Sequence, residues 1–352
     1  MNSAMESAVY ESTTSPGELA AWIKAAGRLL IITHVRPDGD AIGSTLAIAR
    51  AAERAGVSTH LAYAGELPGW MGDVMGDTPW VHLDAGDPPP PFERVLVCDT
   101  GAWGQVEPYK PWIAGKADRV AILDHHRSGT PDMADTRLIE SDAAAACEIA
   151  AEVCALVLGV AGPADLPVDI AEPLMLGLGT DTGWFRHPSV TPHVLRLAAD
   201  LVQAGAEHPR LVKMTMLSDP PQRLKLMAKA MGGLSLHEDV IDGAGVAVIK
   251  VRAGDLTSLG ASPGMTSGFA DPALSVKSVS VAIVLVELPP DGSGKQIVKI
   301  SLRSKIDGPD VAKIAGAFGG GGHIRAAGAR SELSLDETEQ KLLELIAQSK
   351  SS

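Results

Sequence analysis

Four short stretches of the chain combine carboxylates and imidazoles in patterns that could bind cations. The first, His34-Val-Arg-Pro-Asp38-Gly-Asp40, sets an imidazole and two carboxylates at positions i, i+4 and i+6. Where a strand turns into a helix, ligands so spaced can converge on a cation, and a mixed imidazole and oxygen set suits Mn²⁺ or a similar hard-to-borderline ion. The same two aspartates could instead cap the helix and complement its dipole with no metal at all. The second stretch, Val95-Leu-Val-Cys98-Asp99-Thr-Gly101, ends an apolar run on an acid, and alone it reads as a loop-capping aspartate. The third, Val120-Ala-Ile-Leu123-Asp124-His125-His126, puts two adjacent imidazoles where a buried strand ends, a place where polar groups need partners. The fourth, Gly177-Leu-Gly-Thr180-Asp181-Thr-Gly183, places an aspartate at the end of a helical stretch, where a C-terminal cap is the simpler assignment. Three of the four fall at the same end of expected parallel strands, so they could meet in one cleft. That shared position favours a metal site over four separate accidents.

A different chemistry is suggested near the C-terminus. Phe318-Gly-Gly320-Gly321-Gly322-His323-Ile-Arg325 follows an expected helix. Glycines leave backbone N–H groups open to a close-approaching anion, and His323 and Arg325 add hydrogen bonds or charge. A flexible hinge or a glycine helix stop would explain the same run. Arg303, on the strand just upstream, strengthens the phosphate reading because its planar fork matches phosphate oxygens.

These residues need a scaffold, and the apolar pattern supplies one. Runs at 28–33, 57–63, 94–98 and 119–123 read as strands, alternating with helical stretches such as 40–55, 142–158 and 191–205. Continuous apolar strands separated by helices predict a parallel sheet covered on both faces, with its site beyond the carboxyl ends of the strands. Gly86-Asp-Pro-Pro-Pro-Pro91 must be a surface loop, since proline interrupts both helix and central strand. The polar, proline-broken stretch 208–231 is the expected linker. Beyond it, strands at 246–251, 275–287 and 296–305, a turn at Pro289–Gly292, and helices at 309–317 and 335–347 predict a smaller α+β domain. The expected division is 1–207, a helical linker over 208–233, and 234–352.

Bulk properties narrow the function. At 352 residues, with 45% apolar and 21% charged residues, the chain is globular and long enough for two domains. A net charge of −13 and only 4% aromatics disfavour the basic, stacking track that holds long nucleic acid. The three cysteines, Cys98, Cys147 and Cys154, form no CxxC pair, so neither a disulfide framework nor a thiolate zinc site is expected and a reducing cytoplasm fits best. The N-terminus lacks the basic and apolar regions of a signal peptide, and Glu148 and Glu152 interrupt the most apolar stretch, 143–160, so no membrane association is expected.

Together HVRPDGDAIGS, VCDTG, LDHH, GTDTGWF and FGGGGHIRAAG, in that order and over nearly the whole chain, resemble the DHH/DHHA1 phosphoesterase superfamily. Chain length and the close spacing of the halves look most like its nanoRNase branch, whose members also act on phosphoadenosine phosphate. The resemblance implies an α/β architecture, with a parallel-sheet N-terminal DHH domain, a smaller α+β C-terminal DHHA1 domain and a catalytic cleft between them. It implies two divalent ions, Mn²⁺ foremost with Mg²⁺ or Co²⁺ as substitutes. One would lie on His34, Asp38 and Asp99, the other on Asp40, Asp99, His125 and Asp181, with Asp99 bridging. Asp124 then orients ligand histidines, and His126 faces the scissile phosphate, so Asp99, Asp124 and His126 carry the catalysis. Arg303, Gly320, Gly321, Gly322, His323 and Arg325 would clamp the substrate.

The implied reaction is hydrolysis of short single-stranded RNA or DNA oligonucleotides and of 3′-phosphoadenosine 5′-phosphate by metal-activated water. Alternatives are a cyclic or linear dinucleotide phosphodiesterase (c-di-AMP or pApA), a RecJ-like exonuclease and a catalytically silent nucleotide-binding scaffold. The last would be expected to lack a ligand, and no ligand position is missing. FGGGGHIRAAG also points away from the lysine-rich second domain of a family II pyrophosphatase. A homodimer is left open. Arg36 stands where the family usually has a neutral polar residue, and Trp184 with His187 is a second departure.

Overall fold

The computed structural model describes residues 9–83, 87–241, 243–289 and 295–349, apart from the side chain of Asp239. The chain divides into two compact units, Met1–Ser218 and Asp219–Ser352.

In the first unit the strands are β1 (Arg28–Thr33), β2 (Ser58–Ala64), β3 (Trp80–Leu83), β4 (Arg94–Cys98), β5 (Val120–Asp124) and β6 (Thr136–Ile139). Its helices are α1 (Pro16–Lys24), α2 (Gly39–Arg54), α3 (Met71–Met75), α4 (Lys110–Ile113), α5 (Ala146–Leu158), α6 (Val168–Asp181), α7 (Pro192–Gln203) and α8 (His208–Met216). All six strands are parallel, in the order β3-β2-β1-β4-β5-β6. The chain winds outward from β1 to β3, returns to β4 beside β1, and winds the other way. The switch between the two directions therefore lies between β1 and β4, the place where open α/β sheets bind ligands.

The apolar strands are continuous because both faces are covered. Leu29 and Ile31 of β1 join a core with α1, α2, α5, α6 and α7. Leu30 and Ile32 face the opposite core, which contains Tyr109, Trp112 and Ile113. Five elements of this unit have no counterpart in the expected pattern: β3, β6, α1 and the one-turn helices α3 and α4. The first two are short edge strands with half-exposed positions, which weakens their apolar signal. Helix α1 does carry a start signal, the Ser15/Glu18 capping box with Pro16 in its first position.

The second unit contains β7 (Ser235–Ile241), β8 (Ala244–Val251), β9 (Val279–Glu287), β10 (Val298–Ser304), β11 (Gly321–His323) and β12 (Ala326–Ser331). Its helices are α9 (Pro221–Gly232), α10 (Ala253–Leu259), α11 (Ala270–Leu274), α12 (Val311–Gly316) and α13 (Leu335–Gln348). The sheet is mixed, in the order β11-β12-β10-β9-β8-β7, with β8 and β9 its parallel pair. Residues 281, 283 and 285 of β9 pack toward α12 and α13, and residues 282, 284 and 286 toward α9, α10 and α11. This gives three layers.

Most boundaries shift by a residue or two, and two element starts move by about a full helical turn's worth of chain. The helix expected from 142 begins at Ala146, because the N–H groups of Ala146 and Cys147 are turned onto the carboxylate of Asp40. The strand expected from 275 begins at Val279, since 270–275 are taken up by α11 and its cap, with Ala273 packed on the sheet. The proline-broken stretch after 207 is two helices: α8 packs into the first core through Leu211, and α9 into the second unit through Leu226 and Ala230. Asp87–Pro91 is irregular, as expected, whereas Gly86 and the turn residues 290–292 lie outside the described residues. Among the described residues no helix is long and apolar enough to cross a membrane.

Candidate metal centre

The ends of β1, β4 and β5 are held side by side by their ladders and by Thr33, whose Oγ1 donates to the Cys98 carbonyl at 2.8 Å. His34 follows β1. Its Nδ1 lies 3.1 Å from the Val35 carbonyl, so that nitrogen carries the proton and donates, while Nε2 points to Asp99 Oδ2 at 3.4 Å and to Asp38 Oδ1 at 4.0 Å. Arg36 then takes a left-handed turn, φ 57°, which starts α2 three residues later. Asp38 does cap that helix: its Oδ1 accepts the N–H groups of Asp40 and Ala41 at 3.0 and 3.1 Å. Cap and cluster are compatible, because the cap is what holds this carboxylate beside His34.

Asp40 is fully buried. Its Oδ2 and Oδ1 accept the N–H groups of Ala146 and Cys147 at 2.6 and 2.8 Å, so the positive end of α5 faces the carboxylate. Helix α6 approaches the same point. A Cβ on Gly177 would come within 2.2 Å of Cys147 Sγ and 2.8 Å of Asp40 Oδ1, so only glycine allows α6 to carry Asp181 into the cluster. His187, one of the departures from the usual family wording, donates through Nδ1 to the Asp181 carbonyl at 3.1 Å. Beside it Trp184 and Phe185 are both left-handed, at φ 56° and 66°, with Trp184 edge-on to His208.

Asp99 sits at the centre. Its own backbone is left-handed, φ 61°, directly after β4, a conformation that aspartate tolerates better than most residues. Oδ2 faces His34 as above, and Oδ1 lies 3.3 Å from His125 Nε2. That imidazole nitrogen is also 3.5 Å from Asp181 Oδ2 and 3.8 Å from Asp40 Oδ2, and its Nδ1 donates to the Ala143 carbonyl at 3.3 Å. Three donor sets therefore have ligand atoms within 4.8 Å of one another: His34, Asp38 and Asp99; Asp40, His125 and Asp181; and Asp99, His125 and His126. Asp99 Oδ1 is buried without a hydrogen-bond partner among the described residues. An orphaned anionic oxygen amid carboxylates and imidazoles is what a divalent cation would satisfy, and the donor set fits one.

Asp124 is fully buried beside this set and meets the His126 imidazole and the backbone of both histidines. Its Oδ1 accepts the backbone N–H groups of His125 and His126 at 2.8 and 3.2 Å and His126 Nδ1 at 2.7 Å. Its Oδ2 accepts the Tyr10 hydroxyl at 2.5 Å. Tyr10 escaped the sequence reading: it is a lone aromatic in a polar N-terminal stretch, 114 residues from its partner, and nothing in the local pattern marks it. Burial, followed by the charge of Asp124, raises its pKa far above the ordinary phenol value, so the hydroxyl stays a donor.

The electrostatics show what so many acids cost one another. Burial and then the charge of Asp99 push Asp40 up to about 7. Burial and the charges of Asp40 and Asp99 hold Asp181 well above the usual carboxylate range. Asp99 goes the other way: burial opposes its charge, but the close imidazoles of His125 and His34 outweigh it and lower the pKa. Burial likewise pulls His34 and His125 down, yet their interactions with Asp99 dominate and raise them to about 9 and about 11.

A pH dependence follows. Without metal, Asp40 keeps a proton that an unfolded aspartate, with a pKa of about 3.9, releases, so stability falls as pH rises from about 4 through about 7. The contribution of His34 and His125, complete below about pH 6.5, is lost as pH rises through their folded values. Asp99, whose pKa is lowered, contributes a constant amount above about pH 4. A cation displaces the bound protons, so its affinity rises with pH. Thermal melts in chelator and in Mn²⁺ should show a metal-dependent increase in Tm that grows from pH 6 to pH 9. An increment independent of pH would contradict proton displacement.

In the second unit, β10 alternates: Val298, Ile300 and Leu302 are buried under α12 and α13, and Lys299, Ser301 and Arg303 occupy the other face. Arg303 pairs with Ala326 of β12, and Ala326 with His323 of β11. Residues directly opposed in antiparallel strands share a face, with Cβ atoms about 5 Å apart. Arg303 and His323 thus flank a small residue, with Ser301, Gly328 and Gly321 in the adjoining row. Burial lowers the Arg303 pKa, but a guanidinium stays charged. The glycine run is less open than expected. Gly319 and Gly320 N–H groups close the end of α12 by donating to Gly316 and Ala315, both at 3.0 Å. A Cβ on Gly320 would meet the Gly328 carbonyl at 2.2 Å, so close strand approach requires that glycine. Arg325 is turned back on the loop before α12, donating to the carbonyls of Gly308 and Pro309.

Comparison with known proteins agrees with this layout. Residues 28–178 match the DHH family, N-terminal domain, and residues 243–351 match the DHHA1 domain. The bifunctional oligoribonuclease and PAP phosphatase NrnA of Thermus thermophilus is 29% identical, over 91% of this chain and 89% of that protein. The Bacillus subtilis protein of the same name is 23% identical, over 93% and 96%. Among solved structures, an exopolyphosphatase-related protein from Bacteroides fragilis superimposes with a TM-score of 0.82 at 21% identity, covering 94% of this chain and 96% of that one. With both domains matched in order and the acidic centre at the expected strand ends, the chain belongs to the DHH/DHHA1 phosphoesterase family.

Proposed function

We propose that the chain is a phosphodiesterase and phosphatase that hydrolyses short oligonucleotides and 3′-phosphoadenosine 5′-phosphate with two divalent ions, Mn²⁺ foremost. The observation that carries this reading is Asp99, whose two oxygens face two different imidazoles at 3.3 and 3.4 Å, the disposition of a ligand shared by two ions. His34 and Asp38 complete one set, and Asp40, His125 and Asp181 the other. Bound there, the cations supply Lewis acidity at the phosphoryl oxygens and lower the pKa of a water. The choice of Mn²⁺ follows from the mixture of imidazole and carboxylate donors. Asp124 holds His126 so that its ring meets the phosphate, where it stabilises charge or protonates the leaving oxygen. The three buried, unpaired cysteines fit a reducing cytoplasm.

Substrate class rests on the relatives named as oligoribonucleases and PAP phosphatases and on charge. A protein at −13 repels a long polyanion, so attraction must be local, and the Arg303, Ala326 and His323 row suits one terminal phosphate. The test is a panel of 5′-phosphorylated di- to pentanucleotides, a long single strand, 3′-phosphoadenosine 5′-phosphate and bis-p-nitrophenyl phosphate. Short substrates should turn over fastest. Arg303→Ala should lower kcat/KM on the dinucleotide by about 10- to 100-fold, the size of a charged hydrogen bond, and spare the nitrophenyl ester. Equal losses on both, or a long strand cleaved as fast as a dinucleotide, would refute this reading.

A further inference from the structure

We infer that Tyr10 is a positioning residue of the reaction, its hydroxyl fixing the Asp124 carboxylate that aims His126; this rests on the role proposed for His126. Tyr10 lies ahead of residue 28, where the family match begins, yet the fold is built to receive it. The segment that follows it is stitched to the sheet edge at β6. Thr13 and Thr14 donate their N–H groups to the Arg137 carbonyl at 2.8 and 3.1 Å, Ser12 Oγ bonds both to the Ile139 carbonyl and to the Ile139 N–H at 2.7 Å, and Thr13 Oγ1 reaches the Asp135 carbonyl at 2.7 Å. The ring then enters a slot between two glycines. A Cβ on Gly101 would fall 1.9 Å from the Tyr10 hydroxyl oxygen, and one on Gly129 would fall 2.3 Å from its ring. No other residue type at either position would leave the ring where it is.

The slot delivers the hydroxyl to a carboxylate that has one oxygen left to satisfy. Asp124 Oδ1 already holds three donors, two backbone N–H groups and His126 Nδ1. Oδ2 has the tyrosine. Asp124 is fully buried, so without that donor a carboxylate oxygen loses its partner away from water, and the group can turn about its Cβ–Cγ bond to seek another. Such a turn would move the acceptor from beneath His126 Nδ1 and loosen the ring. His125 meets this carboxylate through its backbone N–H, and its ligating Nε2 faces Asp99 and Asp181, so metal binding is retained.

The test is a double-mutant cycle on Mn²⁺-loaded full-length protein with a 5′-phosphorylated dinucleotide, and metal content and melting curves recorded for each variant. Tyr10→Phe keeps the ring and removes only the hydroxyl. It should lower kcat about tenfold, the size of effect expected from an outer partner of a site residue, with KM and bound metal unchanged. In the His126→Ala background the same substitution should have no further effect on kcat. Wild-type kcat in Tyr10→Phe would overturn the proposal, as would an equal loss in both backgrounds or a loss of metal. If His126→Ala itself kept wild-type kcat, the reading of His126 would fail first and take this inference with it. Tyr10→Phe at wild-type kcat beside a crippled His126→Ala removes Tyr10 alone.

Discussion

Asp99→Asn is expected to reduce kcat by about a thousandfold or more, with at least part of the bound metal lost, because among the described residues no other carboxylate faces both His34 and His125. Asparagine is the informative replacement. It tolerates the left-handed backbone at φ 61° nearly as well as aspartate, so a loss of activity reports the missing charge and not a rearranged turn. Asp124→Asn serves as the control, since that carboxylate contacts N–H groups and a hydroxyl and stands outside the three donor sets. Its expected cost is about 10- to 100-fold. Steady-state kinetics with plasma-emission metal analysis on folded protein would compare them, and equal residual rates would refute the shared-ligand assignment.

His126→Ala is expected to retain metal while kcat falls by about 10²- to 10⁴-fold, the range for a group that moves a proton or meets charge in the transition state. Its geometry sets it apart from His125. The His125 Nε2 lies within 3.8 Å of three carboxylates, whereas His126 Nδ1 is engaged by Asp124 at 2.7 Å and lies 3.8 Å from Asp99. Leaving-group dependence separates the two roles open to it. If His126 protonates the leaving oxygen, the variant should lose far less activity on a p-nitrophenyl ester, whose phenolate leaves without help. If it stabilises phosphoryl charge, both losses should match. Metal depletion would make His126 a ligand instead.

Local chemistry was enough to read much of this protein from sequence alone. A buried parallel strand must be apolar throughout, and a carboxylate cannot sit inside it, so each run ending in an acid or imidazole marks its own carboxyl end. That made β1, β4 and β5 legible together with His34, Asp99, Asp124 and His125. The alternation of β10 and the turn residues of its surroundings likewise announced a second sheet, and the order of motifs announced the family.

What the sequence could not supply was everything set by contact between distant segments. Strand order is one case: the pattern of β1 to β6 is the same whether β4 returns beside β1 or continues past β3, and only the return puts Asp99 next to His34. The onset of α5 is another, since Asp142 to Ala145 have nothing against helix, and the helix waits for Ala146 because Asp40, more than a hundred residues away, takes its first N–H groups. Four glycines in a row suggested an open anion loop. The fold spends two of their amides on the end of α12 and needs Gly320 for strand approach. Tyr10 is the extreme case. Propensity and periodicity extend over a turn or a strand, and a phenol that reaches across 114 residues to a buried carboxylate is defined only when the packed sheet brings the two together.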